Sequence, residues 1–450
     1  MARKSAVTAL ACLLFFVVAR AEQPARPKPL LKDFLGINTF CERFRPELYR
    51  PTCHLVRNYH NYPWDVGDDS TTLPPFPMST TRLSGSPEPI DWGKLYESWK
   101  QSGWDIDVSI KLQYMPAEKF KDVQRDAYQY GRAFAEFFGP SGEHKLVEAV
   151  EVGNEPAHWD AAFYKQVFQA MARGLRDGDP AIKVLPAAVQ AGSPDKWAKP
   201  VDILADCGEL YDALNVHKYA LVEGWPYWSR SYPEDPAIDY LSTVQDVIDW
   251  RDEHAPDKEI WLTEFGYDAS SKPQAEAGTF SKWMDVTDEQ QAQWIVRSFL
   301  AFAAMDVDRA YLYWFDDDDT PSFHAASGIT RNFEPKMSYW AMKHLYDALG
   351  DYRFSRVVHR ETGNLHVQEY VHGERPEDVV WVLWRATDDR KKVDRTVQLP
   401  ADPGKAERMA VTAAGPAEVP LVKDEAGGHK FELNGSPIYV WMTLKEAQGH

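Results

Sequence analysis

The chain has few of the features that mark membrane, nucleic-acid-binding or disulfide-rich proteins. Beyond an apolar run near its start, no segment is apolar over the roughly 20 residues that a membrane span requires. Cysteine is scarce, with 4 in 450 residues, which excludes a disulfide scaffold. Lys and Arg number 50 against 68 Asp and Glu, so the formal net charge is -18. We therefore predict neither membrane insertion nor nucleic acid binding.

Residues 1–21 have the composition of a secretory signal peptide. A basic start is followed by the apolar run from Ala6 to Val18, and Ala19-Arg20-Ala21 supplies small residues for signal peptidase. The run is too short to span a bilayer. We therefore expect a secreted or periplasmic protein. Loss of the three basic residues in this segment would take the charge from -18 to -21, which also disfavours a strongly anionic polysaccharide as ligand.

Three cysteines remain after such processing. Cys41 and Cys53 lie close in sequence and can pair in an oxidising compartment, whereas Cys207 would then be left over. The sequence leaves this pairing open.

Short β-branched or apolar runs alternate with helix-period segments between about residues 35 and 350. Strands are predicted at 35–40, 55–60, 106–112, 148–153, 183–189, 213–217, 259–264 and 309–314. Helices are predicted at 91–102, 118–138, 161–175, 239–254, 288–305 and 337–349, with start signals at Asp91 and at Thr287. Eight such units predict a (β/α)8 TIM barrel over residues 22–350, with its site at the strand C-termini. An open doubly wound sheet is disfavoured because no Gly-rich phosphate turn follows the first strand.

After Gly350 the pattern changes to alternating runs divided by Gly, Pro and Asp clusters. These runs are LHVQEYVH, DVVWVLWRA, RTVQLP, RMAVTAA and IYVWMTL. Strands at this spacing without helices predict a small β-sandwich domain over residues 351–450. No linker precedes it, which favours fixed packing against the barrel over an independent module.

Two glutamates stand at predicted strand ends. Asn154-Glu155-Pro156 closes the fourth strand, and Thr263-Glu264-Phe265 closes the seventh. Burying a carboxylate costs free energy, so a glutamate at the end of an apolar strand is expected to have a function. Cleavage of a glycosidic bond is a function that needs two such groups, because one carboxyl group protonates the leaving oxygen while a second attacks the anomeric carbon.

With glutamates at the ends of strands four and seven, residues 33–350 resemble the retaining clan A glycoside hydrolases, of the kind in families 5 and 39. The resemblance implies that Glu155 is the acid/base, that Glu264 is the nucleophile, and that Asn154 binds the sugar 2-hydroxyl. It implies no cofactor and no metal ion.

The resemblance also implies four supporting or substrate-binding residues: Arg57 on strand two, His217 and Tyr219 after strand six, and Trp314 after strand eight. Tyr219 would orient the nucleophile, and Trp314 would form the floor under the sugar. On physical grounds, Arg57 would keep Glu264 ionised, while Glu155, without such a cation, would carry the proton.

The resulting hypothesis is a secreted retaining hydrolase that cleaves a β-linked, largely neutral poly- or oligosaccharide through a covalent glycosyl-enzyme. The sugar, the linkage, endo or exo action and the oligomeric state stay open. A non-catalytic carbohydrate-binding barrel is the rival hypothesis. A metal-dependent barrel hydrolase is disfavoured because Asn38-Thr39-Phe40 stands where a His-x-His pair would be needed on strand one.

Two further groups of residues follow the predicted strands. Trp225, Tyr227 and Trp228 lie after strand six, where aromatic rings serve as sugar platforms or simply pack a loop. The acidic run from Asp316 to Asp319 matches no metal-binding loop, and we predict a solvated loop or partners for sugar hydroxyls.

Overall fold

The computed structural model describes residues 26–41, 43–361 and 363–444. The predicted signal peptide lies outside the described residues. Within them, no helix combines the length and the apolar character needed to cross a membrane.

Eight parallel strands form a nearly closed barrel. They are β1 Leu35–Phe40, β2 Leu55–Asn61, β3 Asp105–Lys111, β4 Val147–Val152, β5 Lys183–Pro186, β6 Ala213–His217, β7 Glu259–Phe265 and β8 Arg309–Leu312. Their order in the sheet is β6-β7-β8-β1-β2-β3-β4-β5. The seam between β5 and β6 is joined by hydrogen bonds from Asp212 N–H to the Val184 carbonyl at 2.8 Å and from the Asn215 side chain to the Pro186 carbonyl at 3.3 Å. The predicted barrel fold is confirmed.

The helices surround this sheet. In the described part of the chain they are α1 Pro46–Tyr49, α2 Tyr62–Val66, α3 Trp92–Gln101, α4 Val123–Phe138, α5 Ala161–Gly178, α6 Tyr240–His254, α7 Asp288–Ala304 and α8 Met337–Leu349. Asp91 caps α3, and Thr287 with Gln290 forms the capping box of α7, as predicted. Short 3-10 turns at Val201–Leu204 and Gly208–Leu210 replace a helix between β5 and β6.

Side chains that point into the barrel form layers because strand residues alternate between the two faces. The bottom layer is largely apolar and consists of Leu55, Ala149, Leu185, Ala213, Trp261 and Tyr311. Two residues further along the strands, a buried polar layer consists of Asn38, Arg57, Glu151, Asn215 and Thr263. The bottom layer seals the barrel, so the polar layer becomes the floor of a site that opens at the strand C-termini.

The C-terminal region folds into two antiparallel sheets. A six-stranded sheet has the order Tyr352–Arg360, Leu365–His372, Asp378–Arg385, Ile438–Thr443, Pro403–Arg408, Ala417–Glu418. A three-stranded sheet has the order Val393–Val397, His429–Leu433, Val422–Lys423. One predicted strand was wrong: RMAVTAA lies mostly beyond Arg408, in a loop, because the pairing with Ile438–Thr443 ends there.

The central strand Asp378–Arg385 is buried on both faces of the six-stranded sheet, which explains its continuous apolar run. Trp381 and Leu383 share a core with the three-stranded sheet, while Val382 and Trp384 join the core of the barrel. At the junction, the Trp384 indole donates to Glu234 at 2.7 Å. The two parts of the chain therefore share one continuous apolar core.

Small elements complete the loops around the barrel. The described residues include two-stranded pairs Met78–Arg82 with Pro89–Asp91 and Val189–Gln190 with Lys199–Pro200, and a three-stranded group Asp316–Asp317, Thr330–Arg331 and Glu334–Pro335. Further 3-10 turns lie at Leu31–Asp33 and Ala117–Lys119. No disulfide bond joins Cys41 and Cys53, which are both buried.

Candidate active site

Glu155 and Glu264 converge at the C-terminal end of the barrel. One oxygen from each carboxyl group and one ring nitrogen of His217 lie within 4.8 Å of one another. The Glu264 side chain is 8% exposed and that of Glu155 is 26% exposed. The two carboxyl groups therefore face one small space, and Glu155 is the more accessible of them.

A β-bulge in β7 brings Glu264 to the barrel interior. Trp261 and Thr263 already face inward, so strict alternation would turn Glu264 toward the helices. The register of β7 shifts between Leu262 and Phe265, and Glu264 pairs with His217 of β6. An extra residue at a bulge redirects the side chains that follow it, so both Thr263 and Glu264 point into the site.

Three side chains donate hydrogen bonds to Glu264. The Tyr59 hydroxyl lies 2.5 Å and Arg57 Nη1 3.3 Å from Oε1, and the Tyr219 hydroxyl lies 3.0 Å from Oε2. Burial by itself would raise the pKa of Glu264, but the positive charges of His217 and Arg57 and the hydrogen bond from Tyr59 lower it to about 2. Glu264 is therefore ionised at neutral pH, which suits a nucleophile.

Arg57 has a second carboxylate partner that the sequence analysis did not identify. Its Nε and Nη2 atoms donate to the two oxygens of Glu151 at 2.6 and 2.5 Å, while Nη1 also donates to Asn38 at 2.7 Å. Bidentate pairing of this kind fixes the guanidinium plane. Arg57 thus contacts Glu264 as predicted, but it is positioned mainly by Glu151.

Asn154 lies beside Arg57, at the end of β4. Its Oδ1 accepts a hydrogen bond from Arg57 Nη2 at 2.8 Å, and the residue is buried. Because the oxygen is occupied, the Nδ2 group is the donor that Asn154 can offer to a ligand. This arrangement matches the predicted contact with a sugar hydroxyl, which stays a prediction.

His217 connects the two glutamates. Its Nδ1 lies 2.9 Å from Glu155 Oε1 and 3.6 Å from Glu264 Oε2, and its Nε2 lies 2.9 Å from Thr263 Oγ1. The Thr263 hydroxyl donates to Asn215, so Thr263 Oγ1 accepts the proton on Nε2. One proton is then shared between Nδ1 and Glu155.

The charge on this pair is set by its surroundings. Burial would lower the pKa of His217, but Glu264 and Glu155 together raise it above its usual value. A metal ion among these three groups would displace one of the hydrogen bonds of His217.

Trp314 and its neighbours form one wall of the site. Tyr313 and Trp314 are joined by a cis peptide bond, and their rings stack with centroids 5.2 Å apart. Together with both glutamates they enclose a cavity of about 400 Å³ lined by Phe40, Tyr59, Lys111, Gln113, Asn154, Glu155, Tyr219, Glu264, Tyr313, Trp314 and His324. Five of the seven predicted site residues thus line this cavity. His217 lies beside it, in contact with both glutamates, and Arg57 lies in the layer beneath.

No protein-family model and no curated protein matches the sequence. Solved structures do match. A family 39 glycoside hydrolase from Bacteroides cellulosilyticus WH2 has a TM-score of 0.67 at 16% identity, over 92% of this chain and 81% of that chain. A glucosidase from Croceicoccus marinus has a TM-score of 0.62 at 13% identity, over 94% of this chain and 98% of that chain.

A family 30 endoxylanase from Clostridium papyrosolvens C71 has a TM-score of 0.57 at 12% identity, over 93% of this chain and 98% of that chain. The chain shares the fold of these glycoside hydrolases. At these identities the similarity concerns the fold, so the roles of individual residues rest on the geometry.

The sequence analysis missed several side chains of the site. Tyr59 stands two residues after Arg57 on β2, and Glu151 stands two residues after Ala149 on β4. Strand alternation places each on the inner face, so this signal was present in the sequence. Lys111 carries the same signal, because it ends β3 four residues after the inward-facing Asp107, whereas the path of the loop after β8 decides where His324 lies.

The acidic run after β8 was interpreted wrongly. Asp316, Asp317 and Asp319 are buried rather than solvated. Asp317 accepts from Gly328 N–H at 2.8 Å and pairs with Lys336 at 3.3 Å, and Asp319 accepts from Ser271 N–H at 2.8 Å. The run therefore stabilises the loop that carries His324 into the site.

Proposed function

We propose that the protein is a retaining glycoside hydrolase that cleaves the β-linkage of a largely neutral glycan by double displacement. The observation that carries the proposal is the separation of at most 4.8 Å between an oxygen of Glu155 and an oxygen of Glu264. Retaining enzymes hold their carboxyl groups about 5–5.5 Å apart, whereas inverting enzymes need about 6.5–9.5 Å to admit a water molecule.

The environments of the two groups suit different roles. Glu264 is ionised and held by Tyr59, Tyr219 and Arg57, so its free oxygen lone pairs can attack an anomeric carbon. Glu155 is more accessible and shares a proton with His217, so it can supply that proton to a leaving oxygen.

The reaction then balances in two steps. The Glu264 carboxylate forms a bond to the anomeric carbon while the bond to the leaving oxygen breaks, and the proton of Glu155 passes to that oxygen. Next, Glu155 takes a proton from water, the hydroxide attacks the anomeric carbon, and Glu264 is released. Asn154 can bind the 2-hydroxyl through Nδ2 throughout, an interaction that strengthens in the oxocarbenium-like transition state.

Export through residues 1–21 belongs to the same proposal, since glycan substrates are common outside the cell. The strongly acidic composition supports a neutral rather than an anionic sugar, because 68 acidic residues face 50 basic ones.

Azide rescue tests the roles of the two carboxylates. Glu155→Ala should be rescued by azide with formation of the β-glycosyl azide, because azide attacks a covalent intermediate. Glu264→Ala should give the α-glycosyl azide, because azide replaces the nucleophile. The matched control is Glu143→Gln, whose side chain is 72% exposed and which should behave as wild type.

The substrates for this test are β-glycosyl fluorides and aryl β-glycosides of several neutral sugars, with products assigned by proton NMR. A non-catalytic sugar-binding protein would bind these compounds without turning over any of them. Identical azide products from the two variants would contradict the assignment of the roles.

A further inference from the structure

A second cavity of about 450 Å³ adjoins the first. Glu155, Tyr219 and His324 line both cavities, whereas Glu264 lines only the first. Loops after β5, β6, β7 and β8 form the walls of this second cavity, so it opens on the same end of the barrel. The two cavities are thus neighbouring compartments of one site, and the more accessible of the two glutamates stands at their boundary.

Aromatic side chains dominate the walls of the second cavity. They are Trp197, Trp225, Trp228, Phe280 and Phe323. Trp228 stacks on Phe323 with ring centroids 4.3 Å apart, and Trp225 packs edge-on against Trp228 at 6.3 Å. Trp225 is 62% exposed and Trp197 is 45% exposed. Large aromatic side chains left exposed around a cavity mark a ligand-binding surface.

Two charged side chains of this cavity have partners within the protein. One oxygen of the Asp195 carboxylate, Oδ1, accepts from the N–H groups of Trp197 at 2.7 Å and Ala198 at 2.9 Å. Lys218 pairs with Asp239 at 2.8 Å. Although single aromatic rings can also serve as sugar platforms, a sugar in this compartment would meet mainly aromatic walls, so fewer of its hydroxyl groups would find partners than in the first cavity. The first cavity has a more polar lining, because Lys111, Gln113, Asn154 and Glu264 line it in addition to Glu155 and Tyr219, which the two cavities share.

On the basis of the proposed function, we infer that the second cavity binds the leaving group, and that it selects β-glycosides with an apolar, aromatic or polycyclic aglycone over those with a second sugar. The acid must reach the glycosidic oxygen, which lies between the sugar and the leaving group. Glu155 lines both compartments and Glu264 lines one, so the sugar occupies the first cavity and the aglycone the second.

The test uses three substrates that share the glycone turned over best in the panel of sugars. They are the β-glycosyl fluoride, which has almost no leaving group to bind, a β-linked disaccharide, and the 2-naphthylmethyl β-glycoside. The last two both release an unactivated alcohol, and the sugar alcohol is the more acidic and so the better leaving group. A higher kcat/KM for the naphthylmethyl glycoside would therefore report binding of the leaving group. We expect kcat/KM for the naphthylmethyl glycoside to exceed kcat/KM for the disaccharide by about tenfold or more.

Two variants test the cavity walls. Trp225→Ala and Trp228→Ala should each lower kcat/KM for the naphthylmethyl glycoside by about 10- to 100-fold. For the glycosyl fluoride the change should stay below about twofold, since that substrate leaves the second cavity empty. Tyr227→Ala is the matched control, because Tyr227 is an exposed aromatic residue of the same loop that does not line the cavity.

The outcomes separate the two proposals. Turnover of the fluoride together with a preference for the disaccharide would overturn the inference alone. The inference also fails if the tryptophan variants lower both kcat/KM values equally, or if Tyr227→Ala has the same selective effect. If wild type turns over no glycosyl fluoride, the proposed function fails and the inference fails with it.

Discussion

Substitution of Tyr59 by Phe tests how the site keeps Glu264, the proposed nucleophile, ionised. The change removes a 2.5 Å hydrogen bond to Glu264 Oε1 and leaves Arg57, at 3.3 Å, as the remaining donor to that oxygen. Hydrogen bonds to charged groups contribute about 1.5–3 kcal/mol, and 1.36 kcal/mol corresponds to one pH unit. Since the pKa of Glu264 is about 2 in the intact site, the acid limb should move up by about 1 to 2 pH units.

The assay is the pH dependence of kcat/KM between about pH 3 and 8, in short incubations with a β-glycosyl fluoride. Wild type should stay on its plateau to the acid end, because Glu264 remains ionised, whereas Tyr59→Phe should lose activity within the measured range. Tyr313→Phe is the control: its ring lines the same cavity and packs against Tyr59 at 6.3 Å, but its hydroxyl does not donate to Glu264. An unchanged acid limb in Tyr59→Phe, or an equal shift in Tyr313→Phe, would refute the reasoning.

Three further predictions concern stability, each measured as the free energy of unfolding in urea. Glu234→Gln should destabilise the fold by about 3 kcal/mol, because Arg297 is buried and Glu234 is its carboxylate partner; an effect no larger than that of Glu143→Gln would contradict this. Burial raises the pKa of Asp107 to about 7 from 3.8, so the folded state keeps a proton that the unfolded chain loses. Stability should therefore fall as the pH rises from about 4 to 7, and Asp107→Asn should flatten this slope. Glu264 has the opposite sign: its pKa is lowered from 4.5 to about 2, so its contribution should be lost as the pH falls from about 4.5 to 2, and Glu264→Gln should lose less stability over that range than wild type.

The hydrogen bond between Glu155 and His217 bears on the proposed acid/base role of Glu155. The Thr263–Asn215 hydrogen bond assigns the Nε2 proton of His217, so the imidazole faces Glu155 with its other nitrogen, Nδ1, at 2.9 Å. In the proposed mechanism, His217 stays within hydrogen-bond distance of Glu155 while Glu155 gives up its proton and regains it.

Much of the architecture was predictable because it depends on local periodicity. All eight barrel strands and the six longer helices appear near their predicted positions, and the capping signals at Asp91 and Thr287 mark true helix starts. The period of two in a strand also places Arg57 and His217 on the inner face. The spacing of strand ends along the chain therefore determined which residues would meet at one end of the barrel.

Other features depend on contacts that only the folded chain creates. The bulge that turns Glu264 inward breaks the regular alternation of a strand. The pairing of Arg57 with Glu151 and the burial of Asp317 against Lys336 join residues that lie apart in the sequence. The second cavity likewise forms only where the loops after β5, β6, β7 and β8 pack together in the folded chain. Local sequence determined the strands and the functional side chains that each strand carries. Long-range packing decided which charges pair, which side chains are buried and what shape of ligand the site accepts. The reason is that the free energies of charge pairing and of burial depend on partners distant in the chain.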